Sequence, residues 1–167
     1  MELPGTSYLY TIATLSITYG GFAALIVIFR EVIGGKISSY DVFIIRSVLL
    51  RSFIVACSAL LPPALVLFDL SQSLIWRASS IIAALLQALF VLSYRRRRRT
   101  LKEAPPTWAL VIHALEVLTA IGLLMNALGV FGVPAGGPFV IGITAFLFFS
   151  FYAYLAQLRT VFRGRVK

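Results

Sequence analysis

Residues 74–99 read LIWRASSIIAALLQALFVLSYRRRRR, a long apolar run ended by five consecutive arginines. At about 1.5 Å per helical residue, about 20 apolar residues cross the roughly 30 Å hydrocarbon layer of a bilayer. Arginines at the end of such a run cannot enter that layer cheaply, so they mark the face at which the helix emerges. The same grammar recurs along the chain. Tyr8–Phe29, Ser52–Phe68, Thr107–Gly129 and Phe139–Leu158 are further apolar runs, and the charge-free turn Gly132-Val133-Pro134-Ala135-Gly136-Gly137-Pro138 joins the last two.

Composition agrees. Of the 167 residues, 60% are hydrophobic and 13% charged, with a mean hydropathy of +0.95; a water-soluble domain has about 45–50% apolar and about 25% charged residues. The predicted fold is therefore all-α: a polytopic membrane bundle of five transmembrane helices in a single domain over residues 1–167. The expected helices cover 8–29, 39–69, 74–94, 107–129 and 139–158. Met1-Glu2-Leu3-Pro4-Gly5 carries no basic segment, so the first run is expected to span rather than to be a cleaved signal.

All Lys and Arg residues except Arg77 fall in alternate gaps between the runs or beside them. Arg30, Lys36, Arg46 and Arg51 follow the first run, Arg95–Arg99 and Lys102 the third, and Arg159, Arg163, Arg165 and Lys167 the fifth. Basic segments are retained on the cytoplasmic side, which predicts an N-terminus outside and a C-terminus inside, in a bacterial inner (cytoplasmic) membrane. Trp76 at the outer end, with Tyr94 and Trp108 at the inner end, fits the interfacial aromatic belts. The net charge of +9 follows from this retention and from attraction to anionic lipid, and nucleic acid is not an expected partner. Cys57 is the single cysteine, so no intrachain disulfide can form.

The second helix is longer than a crossing needs. Ser38, Ser39 and Asp41 form a plausible cap, the stretch to Phe68 spans about 45 Å, and a cytoplasmic extension is expected. Arg51 then lies near the inner interface and Arg46 a turn or more below it, about 140° apart around the helix. Snorkelling to the interface is their simplest reading, and a positive cytoplasmic mouth the functional one. Pro62-Pro63 should bend the outer half.

Helices associate in lipid through small residues and polar contacts. Such stripes run along Ala13, Ser16, Gly20 and Ala24; Arg77, Ser80, Ala84 and Gln87; Ala109, His113, Glu116, Ala120 and Ala127; and Gly142, Ala145, Ala153 and Ala156. Phe148, Phe151, Tyr152 and Tyr154, on the other side of the last helix, suit lipid contact.

His113 and Glu116 are three apart, so their side chains can meet, and they lie about 9 Å and about 13–14 Å past Thr107. Gln87 falls at a similar depth to His113 and can bond to either if their helices face. Ionisable groups this deep mark proton or ion routes, although an interhelical clasp is an equally simple use of them. One histidine could ligate haem or chlorophyll at a single position, and the donors for zinc are too few. The Arg95–Arg99 run with Lys102 reads first as a topological anchor, and such runs also hold anionic lipid headgroups or an acidic partner. No phosphate loop, dinucleotide fingerprint or hydrolase motif occurs, and no enzyme activity is expected. A small oligomeric channel or transporter for protons or anions is expected, with its pore at a symmetry axis near His113, Glu116 and Gln87. The alternative is an accessory or assembly subunit of a larger membrane complex, binding lipid or pigment.

Overall fold

The computed structural model describes residues 3–32, 39–98 and 107–163, with side chains described except at 26, 27, 30, 31, 40, 41, 44, 95 and 156–163. Within these segments the chain is helical throughout: α1 (Thr6–Val32), α2 (Ser39–Val66), α3 (Gln72–Leu92), the single turn α4 (Tyr94–Arg97), α5 (Thr107–Ala127) and α6 (Gly136–Arg163). Four helices hold stretches long and apolar enough to cross a membrane: Ile45–Val66, Gln72–Leu92, Thr107–Ala127 and Gly136–Leu155. α1 is 27 residues long, and the side chains at 26, 27, 30 and 31 within it lie outside the described ones.

The helix ends differ from the sequence expectation for local reasons. α2 stops at Val66, three residues early, because Leu67, Phe68 and Asp69 tighten into three-residue turns with Asp69 at φ 52. The third helix ends at Leu92, and Ser93 starts a separate turn that carries the arginines. α6 begins three residues before Phe139 and continues to Arg163. The expected cap at Ser38, the basic residues Lys36, Arg99, Lys102, Arg165 and Lys167, and the side chains of Arg30, Asp41, Arg95, Ala156, Arg159 and Arg163 lie outside the described residues.

The outside of the bundle is apolar, and several polar side chains are buried within a mainly apolar core. Phe22, Phe53, Leu89, Leu118, Ile141 and Phe148 face outward, while Ser16, Ser58, Ser79, Gln87, Glu116 and Asn126 are wholly buried. An apolar surface of this extent needs lipid or protein to cover it. The small-residue stripes do pack inward at Ala13, Ser16, Gly20, Ser80, Ala84, Ala120, Gly142 and Ala153, with Ala24 half-buried. Gly20 lets α1 approach α2 so closely that an added Cβ would lie 3.1 Å from Ser52. Three expectations fail. Trp76 is not in an interfacial belt: it is buried against Phe139 and Gly136. Arg77 leaves its stripe and faces out, and Tyr154 is buried against Tyr19 rather than lipid-facing.

The α5–α6 connection is fixed by its own chemistry. The amides of Gly129 and Val130 bond to the carbonyls of Asn126 and Met125, closing α5 with a left-handed residue at Gly129 (φ 75). The Asn126 amide then donates to Ala135 O and Ser80 Oγ at 3.0 Å each and accepts from Ala135 N at 3.2 Å, tying the turn to α3. A Cβ at Gly129 would meet Gly132 O at 2.9 Å, whereas one at Gly122 would meet nothing. Gly129→Ala should therefore lose at least about 1–2 kcal/mol of stability in detergent, while Gly122→Ala should be neutral or gain up to about 1 kcal/mol. Equal thermal midpoints for the two variants would contradict this turn.

Candidate functional site

Arg51 and Glu116 meet inside the bundle. The guanidinium donates from Nε to the carboxylate oxygen Oε1 at 2.8 Å, and Nη2 makes an ion-pair contact of 2.8 Å with the same oxygen. Both side chains are buried, Glu116 completely. α2 packs on α1, α3 and α6, and α5 packs on α3 and α6. The long arginine side chain therefore joins two helices whose backbones are not in close contact. Arg51 lies about 9 Å into its apolar stretch and Glu116 about 13–14 Å into its own, a difference that the reach of arginine covers.

The rest of the cluster is less well satisfied. Both close Arg51 contacts go to Oε1, and Oε2 has no hydrogen-bond partner among the described residues. His113 Nδ1 stands 3.4 Å from Oε2 without the alignment of a hydrogen bond. Nε2 is also buried and has no hydrogen-bond partner among the described residues. The imidazole is held by packing, edge-on to Tyr94 with ring centroids 4.2 Å apart. Thr119 Oγ1 lies 3.0 Å from Gln87 Oε1 and 2.8 Å from Glu116 O, and its one proton can serve only one of them at a time. Gln87 is thus linked to the backbone of Glu116 through Thr119, and not directly to the side chain of His113 or Glu116.

Phe90 forms the floor. The Arg51 guanidinium carbon lies 4.7 Å from its ring centroid and that of Arg97 lies 3.9 Å away, so the ring face stabilises two cations. Arg97 folds back over the end of α3, donating to Phe90 O at 2.6 Å, Ser93 Oγ at 3.1 Å and Ser47 Oγ at 3.3 Å. It satisfies a terminal carbonyl of α3 and bridges to α2. Burial lowers its pKa to about 10, with the nearby Arg51 cation contributing in the same direction and Glu116 opposing it. It remains protonated at neutral pH.

Between these groups lies a cavity of about 30 Å³ bounded by Ser47, Arg51, Tyr94, Arg97, Trp108 and His113. That is room for one or two waters. A macrocycle needs several hundred Å³, so the site beside His113 does not fit haem or chlorophyll. No group of three or more metal-binding side chains occurs among the described residues.

The sequence-derived residues are partly united. His113, Glu116 and Gln87 belong to one cluster within the bundle, Gln87 and Glu116 buried and His113 half-buried. Arg51 belongs to it too and does not snorkel, because Glu116 lies within its reach. Arg46 faces outward, as does Arg96, while Arg97 and Arg98 are half-buried. Thr119 and Asn126 were not singled out by the sequence, although their side chains make the α3–α5 polar contacts. Both lie on the inward arc of α5 that contains Glu116 and Ala120, a signal available from helical periodicity.

Removing one member of a buried pair leaves an uncompensated charge. Arg51→Met or Glu116→Leu alone should each lose about 3–5 kcal/mol, and the double variant should return close to wild-type stability. Additive losses in detergent unfolding would argue against the pair. Comparison of the chain with protein-family models, curated proteins and solved structures finds no match.

Proposed function

We propose that the protein is a small oligomeric channel or transporter that moves protons or small anions, with Arg51, Glu116 and His113 as its polar site. The observation that carries this reading is a buried ion pair left incompletely satisfied, with Glu116 Oε2 and both imidazole nitrogens lacking hydrogen-bond partners among the described residues. As a structural device it is expensive, since apolar side chains of similar volume join helices without desolvating two charges. As an exchangeable site it makes sense, because protons or small ions can move among acceptors and donors that have no fixed partner.

The distribution of polar groups favours a gated site over an open pore. Thr119–Gln87 and Asn126–Ser80 are the polar contacts of the α3–α5 interface, about 10 Å apart along the helices. The buried Ala83, Ala84, Ala120 and Leu123 lie between them. The cavity adjoins the end that carries α4, so access from that end and closure toward the other is the expected resting arrangement.

In this reading α1 is a fifth span, supported by its packing along the apolar part of α2 from Gly20 at Ser52 to the Ala23–Val48 cluster. The arginine-bearing end faces the cytoplasm, so Arg46 and the Arg95–Arg99 run give that mouth a positive field, and anionic lipids are its partners. The absence of catalytic chemistry from the sequence makes this a non-enzymatic proposal.

One observation favours the accessory-subunit alternative. An apolar groove of about 460 Å³ runs between α5 and α6, lined by Leu118, Gly122, Phe131, Ile141, Ala145 and Phe149. A neighbouring helix or a lipid or pigment tail would suit it.

Two measurements test the proposal. Proteoliposomes should show proton or anion flux above empty vesicles, reduced at least about tenfold in Arg51→Met/Glu116→Leu and in His113→Ala; full flux in a folded double variant would make the pair a structural clasp. On a Cys57→Ser background, a cysteine at Arg96 should react with an impermeant maleimide only from the cytoplasmic face. Labelling from outside would reverse the orientation.

A further inference from the structure

Arg77 is the one basic residue outside the three basic segments of the chain. It lies five residues into the apolar stretch of α3 that begins at Gln72, about 7.5 Å from that end, and it faces outward. A cation in that position is costly unless something neutralises it. Arg77 has no ion pair and no side-chain hydrogen bond among the described residues. The carboxylates whose side chains are described are Asp69 and Glu116. Glu116 is engaged by Arg51, and Asp69, in the turn before α3, is not within ion-pair distance of Arg77.

An apolar groove lies directly beside this cation. It has a volume of about 540 Å³, runs between α3 and α5, and is lined by Arg77, Ile81, Leu124, Ala127 and Leu128. Sites for small ligands occupy roughly 300–1,000 Å³. The small, buried Ala127 forms the floor, while Ile81, Leu124 and Leu128 are exposed along the sides. The Asn126–Ser80 bond holds the two helices together at this level, so the walls need no ligand to stay in place. α3 and α5 are antiparallel, as the Thr119–Gln87 and Asn126–Ser80 pairs require. Ile81 therefore lies about 6 Å deeper than Arg77, and Leu124 about 6 Å deeper than Leu128. The groove has a charged end near the membrane surface and an apolar end toward the middle. Helical Cα–Cβ bonds tilt toward the N-terminus, which favours a guanidinium reaching out to the headgroup level.

We infer that this groove binds an anionic phospholipid, whose phosphate pairs with Arg77 and whose acyl chain lies along Ile81, Leu124 and Leu128. The charge of Arg77 selects the occupant, because an acyl tail or an apolar helix alone would cover the walls and leave the cation without a counter-charge. The site stands at the opposite end of α3 from the arginine turn α4 and is separate from that basic end. The inference rests on the membrane-embedded reading of the chain, and it holds in either orientation and whether or not the protein conducts.

Photolabelling of the full chain in vesicles of equal phosphatidylglycerol and phosphatidylcholine tests it without measuring flux. A trace of either lipid, carrying a mid-chain diazirine, is irradiated and the adducts are located by peptide mass spectrometry. The phosphatidylglycerol probe should label the peptides containing Ile81 and Leu124–Leu128 about fivefold more than the phosphatidylcholine probe, the worth of one basic residue near the headgroups. Arg77→Gln should abolish that preference and Arg77→Lys should retain most of it. Arg96→Gln, which removes the same charge at the other end, should leave it within about twofold. Equal labelling by the two probes in wild type, an undiminished preference in Arg77→Gln, or an equal loss in Arg96→Gln overturns the inference. A groove closed to both probes, with Leu128→Cys on a Cys57→Ser background forming a disulfide between chains, assigns the groove to a second copy and also overturns it.

Discussion

A guanidinium and a carboxylate placed among apolar helices constrain everything around them. Moving either ion out of water costs several kcal/mol even after relaxation, and attraction between them repays this only with good geometry and further hydrogen bonds. Here the repayment is partial. One hydrogen bond and one ion-pair contact converge on Glu116 Oε1, and Phe90 offers its ring face to Arg51. Oε2 has only the poorly aligned His113 Nδ1 nearby. The pair nevertheless fixes the separation of α2 and α5, and it sets where α3 must place Phe90 and Gln87.

The surrounding structure reads as a response to that placement. Arg97 closes the end of α3 and reaches Ser47 on α2, so the same corner that shelters the ion pair is held by a second cation. Two cations near one phenyl ring repel each other, and of Arg51 and Arg97 only Arg51 has a carboxylate partner among the described residues. The positive excess therefore collects at one end of the bundle. At the other end the polar contacts are neutral: Asn126 spans the α5–α6 turn and Ser80 without introducing charge. This asymmetry, with an apolar layer between the two polar levels, is the physical basis for treating the charged end as a site and the neutral end as a brace.

Much of the helical layout was legible because apolar run length and turn chemistry are local properties. The runs from residue 74 and from Thr107 became α3 and α5 with ends displaced by about two residues. The five-residue spacing of Arg46 and Arg51 correctly separated their faces, and one is exposed while the other is buried. The partnership of Arg51 with Glu116 was not legible, since it depends on which helices lie across the bundle from one another. Trp76 misled for the same reason: its position near a helix end suggests an interface, but Gly136 on α6 leaves a slot that the indole fills. The burial of Tyr154 likewise follows from Tyr19 on α1, a neighbour no periodicity identifies.

The most direct test of the account is the distance between the Arg51 guanidinium and the Glu116 carboxylate in lipid. Rotational-echo solid-state NMR on bilayer samples, with ¹⁵N in arginine side chains and ¹³C in glutamate carboxyls, reads it through dipolar dephasing. Contact by hydrogen bond places nitrogen and carboxyl carbon within about 4 Å, and that dephasing component should vanish in Glu116→Gln. Absence of such a component in the wild type, or its persistence in Glu116→Gln, would show that the ion pair does not exist in the membrane.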